Sequence, residues 1–485
     1  MLFSSPRFFI FLLVTLLALA LPLSVGRKKH ALAALSCFFY AAWDWRYLFL
    51  LLAISLVDYL AAAKIDIATS AVVRRRWLVA SVASNLAVLA YFKYTNFFIG
   101  TWNGVLGSMV RLPHADILLP AGISFYTFKS MSYTIDVYRR ELRPCRSHLD
   151  YVTFITFFPE LIAGPIVRAS VLLPQMDRDI GPSLERVRVG ASLFLVGLIK
   201  KLVVADRLAT VVDPAFADPT RLDGPSTWLI VFAYSLQIYA DFSGYSDMAI
   251  GTAKMIGYDL PENFDMPYAS MNVTEFWRRW HITLSSWLRD YLYVPLGGNR
   301  FGAVRTYVNL MVTMLLGGLW HGASWNFVVW GGLHGAALAV HRALRPTGFR
   351  LPKAVALPMT FIFVTLCWVP FRSSSFEATM TVFAKLFGVD RTGVRFVPIG
   401  LAWIAPLVLA GHLLCLGFAG RGRLRRTLEP MLRFADVAWR KDEISGASFV
   451  LGGRGVAGAF LLATLVLVVF FFAELSANPF IYFQF

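Results

Sequence analysis

VRTYVNLMVTMLLGGLWHGASWNFVVWGGLHGAALAVHR, residues 304–342, is the stretch that decides the fold class. It holds two apolar runs, 304–320 and 323–342, with one histidine, His321, at their junction. Each run is close to the roughly 20 mostly apolar residues that a helix needs to cross the hydrocarbon core of a bilayer. Outward from this stretch, further apolar runs lie near 8–23, 31–62, 77–100, 190–210, 227–256, 353–371, 398–419 and 455–474. Composition agrees. Of the 485 residues, 57 % are hydrophobic and 15 % charged, against about 25 % charged in soluble domains. Mean hydropathy is +0.61. A chain this apolar cannot cover itself with polar surface in water, which excludes a large soluble enzyme. The expected fold class is an all-α polytopic membrane protein with roughly 10–13 membrane helices plus re-entrant segments. It forms one domain over residues 1–485.

The formal net charge is +17. Its basic residues fall in short clusters between apolar runs: RKK at 27–29, RRR at 74–76, RR at 139–140, KK at 200–201 and RGRLRR at 421–426. That is the distribution of cytoplasmic loops under the positive-inside rule, not of a nucleic-acid-binding face. The four cysteines, Cys37, Cys145, Cys367 and Cys415, are scattered, so no disulfide framework is expected. The run at 8–23 reads as a retained first helix, because basic residues follow it more than they precede it. The run at 31–62 is too long for one span. WDWR at 43–46 interrupts it, which suggests a helical hairpin with the RKK and RRR clusters on one side.

Two apolar segments contain Pro and Gly and are short for a span: ILLPAGISFYTF at 117–128 and FITFFPELIAGPIV at 154–167. Non-helical backbone at membrane depth must be buried in protein or line a wet cavity. They are expected to be re-entrant pieces around an internal chamber, the alternative being ordinary kinked helices. Segment 420–454 is basic and amphipathic and is expected at the cytoplasmic interface.

Four of the eight histidines, His281, His321, His334 and His341, are concentrated between positions 281 and 341. An ionisable residue at membrane depth is costly and is a functional candidate by default. For His321 the alternative is a core histidine bonded to a backbone carbonyl. Its neighbours Gly317, Gly318 and Gly322 would let a substrate or another backbone approach closely. A neutral imidazole can take a proton from an alcohol or thiol near neutral pH, which suits acyl transfer. His334 follows 13 positions later, about 220° round if the helix is continuous, so the two could not share one ligand, and it reads as a packing or hydrogen-bonding residue. His341 reads as an interface residue. No HExxH and no carboxylate adjoins His321, so no metal is expected. Asp241 and Asp247, in YADFSGYSDMAIG at 239–251, either line the chamber or pair with Arg278, Arg279 or Arg289. Lys129, Glu160 and Arg168 raise the same question, and Arg168 could meet a phosphate or carboxylate.

The strings FWRRWHITLS and YVPLGGNR followed by GLWHGASWNF resemble the membrane-bound O-acyltransferase superfamily. The bacterial polysaccharide branch, typified by the alginate O-acetyltransferase membrane subunit, is the nearest match. LPAGISFYTFKSMSYTIDVYR at 119–139, FFPELIAGPIVR at 157–168, SLQIYADFSGYSDMAIG at 235–251 and the terminal PFIYFQF resemble the same branch. The resemblance implies many helices around a central tunnel. It implies a catalytic histidine at His321 and a second characteristic histidine at His281. Trp320, Trp325, Asn326, Asp241 and Arg168 are then expected along the substrate tunnel. The implied donor is cytoplasmic acetyl-CoA, with no permanently bound cofactor. The implied partners are a periplasmic SGNH-type acetyltransferase and a polysaccharide acceptor, and the implied location is the bacterial inner membrane. Lys129 and Glu160 depart from the branch, where glutamine is expected at both. Two alternatives stay open: D-alanyl or acetyl transfer to teichoic acid or peptidoglycan, and a transporter without chemistry. The transporter predicts two matching halves, and no such symmetry stands out.

Overall fold

A computed structural model describes residues 1–106, 110–397, 400–401, 404–406, 408, 411, 437–442, 446–451 and 455–473. The expected span at 398–419 lies mostly outside these residues. So do His412, Cys415 and the terminal PFIYFQF. The described chain is mostly helical and divides into two compact units, Met1–Ala191 with Ala249–Pro261, and Ser192–Met248 with Glu262–Phe485.

The first unit opens with α1 (Pro6–Ala20), whose Ser5 hydroxyl caps the Phe8 amide and whose Pro6 takes the first-turn position where no amide is needed. Helix α2 (Val25–Ile67) is interrupted at Asp44, which has extended backbone (φ −157°, ψ 113°). Lys29 pairs with Asp150 at 2.9 Å while Ser55 bonds His148 at 3.0 Å. A straight helix would hold positions 29 and 55 about 39 Å apart. At the other end, Tyr40 and Tyr47 donate to the carbonyls of Ala121 and Leu118. The helix therefore doubles back at Asp44, as WDWR suggested, and α3 (Ala71–Leu89) returns from the end where RKK stands. There Arg74 donates to the Tyr138 carbonyl. A π-helical turn, Ala90–Tyr94, leads into α4 (Thr95–Leu106).

Only the front of the 117–128 segment is irregular; α5 (Ile123–Arg139) is then continuous and buried over most of its length. It starts at Gly122 (φ +74°), where a β-carbon would strike the Leu161 carbonyl. The 154–167 segment is broken: α6 (His148–Thr156), the single turn α7 (Phe158–Leu161), irregular backbone, then α8 (Ala169–Met176). Residues 151–167 are buried throughout, as non-helical backbone in an apolar setting requires. Lys129 and Glu160, the two departures, face each other as a buried ion pair, and Lys129 also donates to the Phe154 carbonyl.

Helices α9 (Leu184–Ile199) and α11 (Gly224–Met255) contribute to both units, with α10 (Asp206–Ala217) between them in sequence. The second unit continues with α12 (Val273–Arg279), α13 (Ile282–Leu288), α14 (Gly302–His321), α15 (Trp325–Leu344), α16 (Lys353–Arg372) and α17 (Phe376–Leu386). Two antiparallel strands follow, β1 (Val437–Asp442) and β2 (Gly446–Leu451), in register from Val437↔Leu451 to Asp442↔Gly446. The hairpin corrects the all-α expectation. Helix α18 (Gly455–Phe472) closes the described chain.

Among the described residues, three helical stretches qualify as spans by length and composition: Val25–Ile67, Ala71–Leu106 and Lys353–Arg372. Two shorter apolar helices lie at Pro6–Ala20 and Ala457–Phe472. Helices α11 and α14 do not qualify by that measure, and both bury polar side chains inside the protein, among them Asp241 and Asn309.

Candidate active site

Helices α14 and α15 form an antiparallel pair whose close approach depends on glycine. A β-carbon on Gly318 would collide with the Phe327 carbonyl, and one on Gly331 with the Met314 carbonyl. One on Gly322 would enter the Phe327 ring. These glycines therefore make room for backbone and ring, the second of the two roles expected of them. The chain breaks at extended Gly322, and the Ser324 hydroxyl caps α15 by accepting from the Asn326 amide.

His321 is the last residue of α14 and is 3 % exposed. Three rings stand round it: Trp330 at 4.9 Å, Trp320 at 5.0 Å and Phe371 at 5.3 Å between centroids. The His281 ring lies 6.5 Å away. His281 sits at the α12–α13 junction with φ +44° and is fully buried. It packs edge-on against Phe242 at 4.7 Å and faces Trp320 at 6.0 Å. The structure thus brings together the two histidines that the sequence singled out. It adds Trp330 and Phe371, which the sequence reading passed over.

The break at Gly322 removes the premise that His321 and His334 share a continuous helix. Both pack on Trp330 at 4.9 Å, His334 within a box closed by Trp277 and Phe363. Of the two roles expected of His334, packing is the one found: neither ring nitrogen has a hydrogen-bond partner among the described residues. His341 bonds the Thr274 hydroxyl at 2.8 Å.

These findings agree with similarity to known proteins. Residues 139–374 match the model of the MBOAT, membrane-bound O-acyltransferase family. A probable alginate O-acetylase of Azotobacter vinelandii is 40 % identical over 100 % of both chains. The chain belongs to the membrane-bound O-acyltransferase family. A peptidoglycan O-acetyltransferase of Helicobacter pylori is 39 % identical over 80 % of each chain. A teichoic acid D-alanyltransferase of Bacillus subtilis is 24 % identical over 55 % of this chain and 71 % of its own. This membrane acyltransferase therefore shares its sequence with enzymes of differing acceptors.

The other candidate residues fall in different surroundings. In the acyltransferase's second unit, Asn326 is buried and its amide donates to the Ser373 carbonyl at 2.9 Å, tying α15 to the end of α16. Trp325 is 55 % exposed and so stands outside the buried cage. Asp241 is buried and pairs with Lys201 at 2.6 Å; Lys201 also holds Asp206 at 2.9 Å. Asp247 pairs with Lys200 at 2.6 Å. Two of the three arginines suggested as partners are engaged elsewhere: Arg279 with Glu275 and Asp265, Arg289 with Asp290. Asp241 thus belongs to a polar network rather than to the histidine cage. Arg168 belongs to the first unit, immediately before α8.

Proposed function

We propose that this protein is the membrane component of an O-acetylation system for an exported or cell-surface polysaccharide of the alginate type. It takes acetyl from cytoplasmic acetyl-CoA and passes it across the bacterial inner membrane. A periplasmic partner of the SGNH type receives the acetyl group or delivers it to the glycan. The observation that carries this reading is His321, sealed between three aromatic rings with a second histidine beside it.

In the proposed reaction the neutral His321 imidazole takes the proton from an attacking hydroxyl. The hydroxyl oxygen adds to the thioester carbonyl. The carbon–sulfur bond then breaks, and the leaving thiolate takes the proton back from the imidazolium. General-base help of this kind is worth about 100- to 10,000-fold. Rings packed round His321 favour transfer over hydrolysis by keeping water from the thioester. Because charged coenzyme A cannot cross the ~30 Å hydrocarbon core, donor and acceptor must reach His321 from opposite faces through a tunnel.

Relatives named for alginate and for peptidoglycan are 40 % and 39 % identical over 100 % and 80 % of this chain, so an acetyl acceptor on a glycan is favoured over D-alanyl transfer. The test is acetyl transfer by purified protein in lipid vesicles from labelled acetyl-CoA to a periplasmic partner or glycan. Label on either supports the reading. Transfer of D-alanine from a carrier protein, with none of acetyl, overturns it in favour of the alternative.

A further inference from the structure

Asn263 lies in the loop before α12, and nothing in its local sequence marks it. The fold lays this loop along the α12–α13 junction: Phe264 bridges Trp280, and the Asn263 carbonyl accepts from the Ile282 amide at 3.0 Å. The Asn263 side chain is buried. Its Oδ1 accepts from the Thr283 backbone amide at 3.3 Å and the Thr283 hydroxyl at 2.9 Å, while its Nδ2 donates to the Ser246 hydroxyl at 3.3 Å. A backbone amide can only donate, so the atom it meets is the side-chain oxygen. That settles the orientation of the Asn263 amide on chemical grounds.

The same oxygen lies 3.0 Å from His281 Nδ1. An amide oxygen only accepts, so Nδ1 must carry the hydrogen. In a neutral imidazole the other nitrogen then holds a lone pair. His281 Nε2 is buried and has no hydrogen-bond partner among the described residues. A buried acceptor left bare is costly, about 1–3 kcal/mol, unless something fills it.

We propose that Asn263 is a positioning residue that locks His281 as the Nδ1–H tautomer, so that Nε2 accepts a hydrogen bond from an N–H or O–H group of a reactant. The group is either an amide of the thioester's arm or the acceptor hydroxyl. In this state His281 cannot donate to the oxyanion of the tetrahedral intermediate. The tautomer follows from geometry alone; the reactant's part rests on the acyltransfer reading above.

The test uses the full-length protein in lipid vesicles with ¹⁵N-labelled histidine. The His281 signals are assigned by difference against His281→Gln. A protonated Nδ1 and a bare Nε2 are expected, and the reverse pattern overturns the proposal. Asn263→Leu keeps the volume and removes the acceptor. It should free the tautomer and lower kcat about tenfold, part of the loss expected when the His281 ring itself is removed, while Asn263→Asp, which keeps the oxygen, should recover most of that loss. An unchanged kcat in folded Asn263→Leu overturns the positioning role. If Asn263→Leu does not fold, the wild-type spectrum still decides the tautomer. A rise in KM for acetyl-CoA identifies the donor arm as the occupant, and a rise only for the acceptor identifies the hydroxyl. A protein with the expected tautomer that transfers no acetyl keeps the assignment of Asn263 and overturns the donor instead.

Discussion

The Lys129–Glu160 pair in the first unit and the His281–His321 cage in the second are both sealed from solvent, yet their polar atoms are treated in opposite ways. Lys129 and Glu160 cancel each other's charge, and Lys129 also sits 4.2 Å above the Phe154 ring. Nearby in the same unit, the Asp58 carboxylate accepts from Ser81, Ser130 and Asn85. The cage holds imidazoles among aromatic rings, and His281 Nε2 has no partner among the described residues. Burial penalises an unpaired charge far more than an unpaired neutral nitrogen. The first unit can therefore be stable only with its charges matched, whereas the second can leave a nitrogen open for a reactant. Matched charges hold the first unit together; in the second, among the described residues, His281 Nε2 stays open, as do both ring nitrogens of the packing residue His334.

The sharpest way to break this contrast is His321→Ala. Transfer should fall by at least about 100-fold, with expression and membrane insertion unchanged. Near-normal turnover in a well-inserted variant would remove the cage's claim to chemistry.

The opposite pattern is expected of Glu160→Gln. It strands the Lys129 charge in a buried site and should cost about 3–5 kcal/mol of stability, seen as earlier thermal unfolding in detergent. Adding Lys129→Gln should recover most of that loss. If the two effects simply add, the residues are not coupled and the pairing argument fails.

His281→Ala should have a smaller effect on rate than His321→Ala, on the order of tenfold to a hundredfold, and should weaken binding of acetyl-CoA more than docking of a partner. Unchanged donor affinity with weakened partner binding would assign His281 to the wrong reactant.

The smallest effect belongs to a pair at the end of α17, between buried Lys385 and half-buried Asp390. Lys385 holds Asp390 at 2.8 Å, and that bond, with the Thr392 amide and hydroxyl, lowers the Asp390 pKa to about 2. A depressed carboxylate stabilises the fold above its ordinary pKa near 4. The contribution is lost as pH falls through about 2. Amide exchange over 387–393 should therefore quicken relative to the rest of the chain only in that acid window. Activity should not respond to Asp390→Asn.

His321 and His281 were legible because each carries a local anomaly, an ionisable ring beside apolar runs or an arginine pair. The kink at Asp44 was legible for the same reason: WDWR is polar where the run is otherwise apolar. Asp58 was not singled out, although it is as deeply buried, because a lone carboxylate in a long helix gives no sign of the donors that satisfy it from α3 and α5. The offset of about 220° between His321 and His334 holds only for a continuous helix. Its break rests on the extended backbone of Gly322.

By itself the sequence determined that this chain belongs in a membrane, that its charges cluster between apolar runs, and that its strings match a family of membrane O-acyltransferases. Those properties depend on composition and on strings of neighbouring residues. Only the tertiary structure decided that Lys129 answers Glu160, that Lys201 rather than an arginine answers Asp241, and that Asn263 sets the hydrogen of His281. Each of these is a pairing between distant positions. Burial makes an unmatched charge or a misdirected proton expensive, but it does not say in advance which residue will meet it.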